Sequence, residues 1–282
     1  MGVDLFFAIS GLLITSQLLE DGDLRRFYIR RAFRILPPAL LYLGTVLVFH
    51  LTNVTDVLHC LLFLRNYGGG PWYTGHFWSL SLEEQFYLIW PLLLICAHKR
   101  ANLVAVLVIA AVCAWRTYAW THGEVFYVRT EQRCDGLLWG CLSAFCLKKG
   151  TVRVGPLLSG ACLVAGVMVW SIPGFLPVMP MLLSLGILGT VQNPQSIFSR
   201  ALESKPLVWI GQRSYGIYLW QELLLFLAIP LTFRLVLVFL WPSALYRWFE
   251  TPLRKVGRSL AGQVAGNVRS FAVAAPLQIK VG

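Results

Sequence analysis

Glu83 and Glu84 stand side by side in His76-Phe-Trp-Ser-Leu-Ser-Leu-Glu-Glu-Gln-Phe-Tyr-Leu-Ile-Trp-Pro91, with His76, Ser79 and Ser81 upstream and a long apolar run behind. A carboxylate at the centre of a bilayer costs about 2.5 to 3.5 kcal/mol, so one beside such a run is expected to face protein, a water-filled cavity or the interface. Its chemistry would be that of a general base toward a hydroxyl. The two acids are not equivalent. Ser81-Leu-Glu-Glu84 reads as a capping box, with Ser81 bonding the Glu84 amide and Glu84 reaching back to the Ser81 amide. That gives Glu84 a structural duty and leaves Glu83 as the functional candidate. The helix dipole would favour the Glu83 anion, and burial would oppose it.

Two further groupings carry charge. In Arg25-Arg-Phe-Tyr-Ile-Arg-Arg-Ala-Phe-Arg-Ile-Leu-Pro-Pro38, helical spacing brings Arg30 and Arg31 within one turn of Arg34. Three convergent guanidiniums suit phosphate oxygens, which they bind as planar forks. The same cluster also fits a loop anchored by positive charge at anionic lipid headgroups. In Thr130-Glu-Gln-Arg-Cys-Asp-Gly136, Arg133 and Asp135 either pair at the mouth of a span or leave Asp135 as its N-cap. Asp4 is assigned to the same side and points to a polar cavity shared by several helices. Of the five histidines only His76 neighbours the carboxylates, and none has metal-ligand spacing. The seven cysteines fall mostly inside apolar runs and read as small core residues, Cys134 excepted.

The elements that must position these groups are membrane spans. At 57% apolar and 13% charged, the chain holds more apolar residues than a soluble domain buries. Apolar runs near 3–19, 35–52, 82–97, 102–120, 135–147, 154–172, 174–191, 214–229 and 232–247 predict an all-α bundle of about nine spans. The run 57–64 is too short to cross and reads as a re-entrant or interfacial helix. All of the 24 basic residues except Arg65, Arg116, Arg129, Arg133 and Arg234 fall on one side of these spans, which the positive-inside rule makes cytoplasmic. The net charge of +11 is therefore a topology signal and not a nucleic-acid footprint. Nine crossings with a cytoplasmic C-terminus put Met1 outside, as though an earlier span were missing. Trp72, Tyr73, Trp78 and Tyr87 on the outer side, and Trp209, Tyr215, Tyr218 and Trp220 on the inner, fit interfacial aromatic belts. Trp72 and Trp78 also fit a platform for a sugar ring.

Several segments, in their order and spacing, resemble the acyltransferase 3 family of multi-pass membrane O-acyltransferases. They are Gly2-Val-Asp-Leu-Phe-Phe7 with Ser10-Gly11, then Phe27 to Pro37, Phe63-Leu-Arg-Asn66 and Phe77 to Pro91. Arg133 with Asp135-Gly136, Ser214-Tyr-Gly-Ile-Tyr-Leu-Trp220 and Phe249-Glu-Thr-Pro-Leu-Arg254 complete the set. The resemblance implies a ten-span bundle that takes an acyl group, usually acetyl, from cytoplasmic acyl-CoA to a carbohydrate hydroxyl. It places the CoA-associated arginine pair on Arg31 and Arg34, and a Trp-Ser-Leu-x-x-Glu-Glu segment on Trp78 to Glu84. Family members begin with one more span, which bears a histidine taken to be catalytic and which this sequence lacks. Gln221 stands where the family commonly has histidine.

The expectation is thus an acyltransferase of the bacterial cytoplasmic membrane, shortened at its N-terminus, with acetyl-CoA as donor substrate and no bound cofactor or metal. Its partners would be the bilayer, acyl-CoA and an extracytoplasmic glycan or glycolipid. Residues 1–256 form its membrane domain and 257–282 a mobile basic cytoplasmic tail. Glu83 and His76 are the catalytic candidates. Arg30, Arg31 and Arg34 hold the donor, and Asp4, Trp78, Ser79, Glu84, Arg133 and Asp135 form an acceptor-side or structural cluster. The rival expectation is an inactive remnant or a transporter-like bundle built on the same cavity.

Overall fold

The computed structural model describes residues 2–123, 128–170 and 178–273, the side chains of 98 and 265–273 excepted. The expected spans 154–172 and 174–191 reach into 171–177, and the tail includes 274–282; those residues lie outside the described ones. The helices in order are α1 (Gly2–Glu20), α2 (Leu24–Val48), α3 (Val54–Leu61), α4 (Phe77–Ala97), α5 (Ala101–Thr121), α6 (Thr130–Arg133) and α7 (Asp135–Lys149). They continue with α8 (Pro156–Val169), α9 (Val178–Gln192), α10 (Ile197–Leu202), α11 (Lys205–Leu225), α12 (Leu231–Leu245) and α13 (Thr251–Val273). No strand occurs among the described residues. A helix lies on each apolar run, and the protein is a helical membrane bundle. By length and apolarity α1, α2, Trp72–Ala97 and α5 suffice to cross a bilayer, while α8 and α9 are shorter apolar helices.

The chain divides into two compact units. One comprises Met1–Gly22 and His50–Gln212, the other Asp23–Phe49 and Arg213–Gly282. In the first, α1 packs on α7 at glycine contacts. A Cβ on Gly11 would lie 1.9 Å from the Leu137 carbonyl oxygen, and one on Gly140 2.1 Å from that of Ala8. Between membrane helices, where lipid is as apolar as leucine, such small residues let backbones approach and dispersion hold them. The α8–α9 pair repeats the device. Gly166 meets Leu183, Gly186 meets Leu163, and Ser159 donates to the Gly186 carbonyl at 2.7 Å. Helix α3 has eight residues and is capped by Asn53, whose side chain accepts from the Asp56 amide at 2.8 Å. It is too short to span, as its sequence indicates.

In the second unit α2 packs against α13, and a π-helical turn, Tyr246–Glu250, joins α12 to α13. Asp23 caps α2 by accepting from the Arg26 amide at 3.1 Å, so the helix starts eleven residues before the apolar run at 35 and carries the whole arginine cluster. Pro37 and Pro38 lie inside it. Each lacks the N–H that would bond four residues back, which releases the Phe33 and Arg34 carbonyls from the helical ladder. Trp220 packs edge-on to Tyr42 and Trp241, with centroids 5.4 and 5.5 Å away. Tyr215 donates to the Ile35 carbonyl at 2.9 Å. Tyr87 and Trp220, expected in interfacial belts, are buried, whereas Trp72 and Trp209 are exposed. Helix α13 runs past the boundary expected at 256. A Cβ on Gly257 would strike Phe33 at 2.5 Å, and Ala261 is fully buried.

Candidate functional site

Helix α4 begins at Phe77, so Ser81 stands in its second turn and caps nothing. The capping box is overturned. Phe77 and Leu80 are buried and draw the helix upstream, and the Ser81 hydroxyl accepts instead from the Arg65 amide at 3.3 Å. A tertiary partner has displaced the local cap, and Glu84 loses the duty that separated it from Glu83. Burial separates the two instead. Glu83 is 2% exposed, while Glu84 is half-buried.

Glu83 and Tyr87 are one turn apart on α4, and both meet α1 at a single hydroxyl. Ser10 donates to the Glu83 carboxylate and is in hydrogen-bond contact with the Tyr87 hydroxyl. One turn further along, Trp90 Nε1 donates to Thr15 Oγ1 at 2.9 Å. His76 is also buried, with its ring 4.9 Å from that of Phe77. It is the turn residue immediately before α4. Ser79 is buried and makes a long contact, 3.4 Å, to the His76 carbonyl. Trp78 is half-buried and sets its ring edge-on to Phe7 at 6.2 Å.

Four other charges of this unit pair in an arrangement the sequence did not suggest. Arg133 pairs with Asp4 of α1, and Asp135, the first residue of α7, pairs with Arg116 of α5 at 2.5 Å. Arg116 also donates from Nε to the Gln132 carbonyl at 2.8 Å. Arg133 and Asp135 therefore do not pair with each other, and Asp135 is not the N-cap, a place taken by Cys134. Sequence reasoning missed Arg116, although an arginine inside an apolar run is costly enough to be a signal by itself. It also missed Arg65, whose guanidinium donates to Thr74, to the Gly68 carbonyl at 2.7 Å and to that of Pro71, fixing the loop ahead of α4. Beside it Gln85 bonds the Phe63 carbonyl and Asn66, and Thr130 joins both, which ties that loop to α4 and α6. Burial pushes the Cys134 thiol up to about 12, so the cysteine singled out in the sequence is not a ready nucleophile.

The second unit holds the other candidates. Arg30 and Arg34 are exposed on α2, and Arg31 is half-buried with its guanidinium 5.8 Å from the Phe27 ring centroid. All three lie on one continuous helix, as the i,i+3 and i,i+4 spacings require. The unit adds two arginines not singled out before. Arg213 and Arg254 both lie over the Tyr246 ring, at 4.9 and 5.4 Å. Arg254 also bonds Glu250 at 3.1 Å.

Comparison with known proteins places these sites in context. The chain is similar to the peptidoglycan O-acetyltransferase OatA of Listeria monocytogenes, 29% identical with 91% of this chain and 51% of the relative covered. It is likewise 28% identical to O-acetyltransferase OatA of Staphylococcus aureus, with 91% and 53% covered. The chain thus spans about half the length of these relatives. No solved structure matches it. A family model described as an acyltransferase domain matches residues 1–249, which include the Ser10–Glu83–Tyr87 cluster and the arginines of α2. The protein belongs to the acyltransferase 3 family.

Proposed function

We propose that the protein is an O-acyltransferase of the bacterial cytoplasmic membrane that moves an acetyl group from acetyl-CoA on the cytoplasmic side to a hydroxyl of peptidoglycan or a related extracytoplasmic glycan. The observation that carries this reading is Glu83, a carboxylate 2% exposed inside an apolar bundle that already accepts a hydroxyl hydrogen bond from Ser10. A buried acid that holds one hydroxyl is chemically suited to orient and deprotonate another. Overall the acetyl carbon leaves sulfur for the acceptor oxygen: the thioester C–S bond breaks, the ester C–O bond forms, and the acceptor proton passes to Glu83 or to His76, the residue before α4. The CoA thiolate leaves and takes up a proton. Arg31 and Arg34, with Arg30 beside them, hold the phosphates of the donor. Asp4 and Arg133 tie α1 to α6, Asp135 and Arg116 tie α7 to α5, and Trp78 stands at the head of α4 on the acceptor side.

The test is acetate released by mild base from peptidoglycan of cells that express the protein. Glu83→Gln should lower it about 100-fold or more, the scale of a lost general base, while Glu84→Gln should stay within about twofold of wild type. Equal losses in the two variants would remove Glu83 from the mechanism. For the donor side, Arg34→Ala should raise the acetyl-CoA KM about tenfold or more, as loss of a charge-assisted phosphate contact does. An unchanged KM would mean that α2 does not bind the donor.

A further inference from the structure

Glu250 is 3% exposed and stands at the end of the π-helical turn, where that turn packs against α2 and α12. Buried charges are paired, because an isolated one loses its hydration without return. Here Arg254 supplies one bond, at 3.1 Å to Oε2. The other oxygen is hemmed in by α11, since a Cβ on Gly216 would lie 3.0 Å from Oε1. The charge of Arg34 acts on the same carboxylate and offsets part of the burial that raises its pKa. Around it Arg213 and Arg254 share the Tyr246 ring, and the Thr251 hydroxyl satisfies the Tyr246 carbonyl at 2.7 Å. A π-helical turn among such residues fits the frequency of these turns at functional sites.

We propose that Glu250 is the positioning residue of the donor site: it fixes Arg34 of α2 and Arg254 of α13 as one cluster that receives the phosphates of an acyl-CoA. The inference rests on the donor reading of α2 given above and extends it to the C-terminal segment. The carboxylate touches no substrate. Anchored by the turn, it holds Arg254 by a hydrogen bond and draws Arg34, on the helix packed against that turn, by its charge, so less rotamer freedom is lost when phosphate arrives. It also keeps the cluster of cations from repelling itself before the donor binds.

The experiment is a double-mutant cycle on the membrane-embedded protein, read by equilibrium binding of acetyl-CoA and by KM and kcat for acetyl transfer. Glu250→Gln should weaken acetyl-CoA binding about five- to tenfold and raise its KM in parallel, with kcat within about twofold, the pattern of lost ground-state binding. In the Arg34→Ala background it should add less than about twofold, because the two residues act as one unit. Glu250→Asp keeps the charge on a shorter stem; it should raise the KM about threefold and also fall silent in that background. Unchanged binding in either Glu250 variant, or effects that multiply with Arg34→Ala, would overturn the inference. An Arg34→Ala variant with wild-type binding would instead overturn the donor reading beneath it.

Discussion

Arg116 and Asp135 form a buried ion pair in a region where neither charge can turn to water, so each is stable only with the other. Removing one partner of such a pair costs about 3 to 5 kcal/mol, whereas replacing both by apolar groups of like volume is often neutral. Arg116→Ala should therefore lower the thermal midpoint in detergent sharply, and Arg116→Met with Asp135→Leu should recover most of the loss; a mild single variant would show the pair to be dispensable. The cysteines give a second residue-scale prediction. With thiols pushed up to about 12 by burial, Cys60 and Cys134 are about one part in ten thousand ionised at pH 8. Iodoacetamide should leave both unmodified in the folded protein and alkylate them after denaturation, as read by peptide mass mapping. At this scale the sequence was legible in kind more than in partner. Asp4, Glu83, Arg133 and Asp135 were recognisable because charge in an apolar chain is conspicuous. Their pairings were not, since Arg133 reaches 129 residues back to Asp4 and no local spacing encodes that contact. Ser81 shows the converse, a strong local motif overruled when Arg65 claimed its oxygen.

Among the elements, the α1–α7 contact tests how closely the polar cluster depends on backbone approach. Gly140→Ala would push its new methyl into the Ala8 carbonyl, and Ser10 rides on the helix that must then move. Such overpacking typically costs about 1 to 3 kcal/mol. The variant should melt earlier and lose acetyl transfer. Gly44→Ala, in the interior of α2, makes the contrast: its methyl meets open space among the described residues, and stability should rise by about 0.5 to 1 kcal/mol. Equal behaviour of the two glycines in a thermal-shift measurement would refute the role assigned to Gly140. Helix positions were well legible here, because apolar runs of span length have few alternatives in lipid. The start of α2 was not. Its arginines fit a helix and a charged loop alike, and the Asp23 cap and the packing on α13 explain why that segment is helical.

For the whole molecule, the membrane class follows from composition alone, and the family from motifs spread from Gly2 to Arg254, with the family model matching residues 1–249. The sidedness expected from the distribution of basic residues is open to direct measurement. A green fluorescent protein fused after Arg153 should fluoresce, and alkaline phosphatase fused after Gly123 should be active, because the first segment carries Lys148, Lys149 and Arg153. The opposite pattern would invert the topology and put Glu83 on the side away from the proposed acceptor. The division into two units was not legible in the sequence, since apolar runs identify helices without telling which of them pack together.

That division has a consequence for biosynthesis. Helix α2 is made early, yet the helices that complete its unit begin only at Arg213, after everything from His50 to Gln212 has left the ribosome. The entropy of closing so long a loop grows slowly, by about 0.6 kcal/mol for each doubling of length. Delay is the larger effect, because long-range contacts form late whatever their final strength. Until α11 and α13 arrive, Tyr42 has no Trp220 and Ile35 no Tyr215. The arginine cluster is accordingly among the last parts of the protein to be assembled, and a chain cut short before residue 213 would carry its arginines without the structure that sets them.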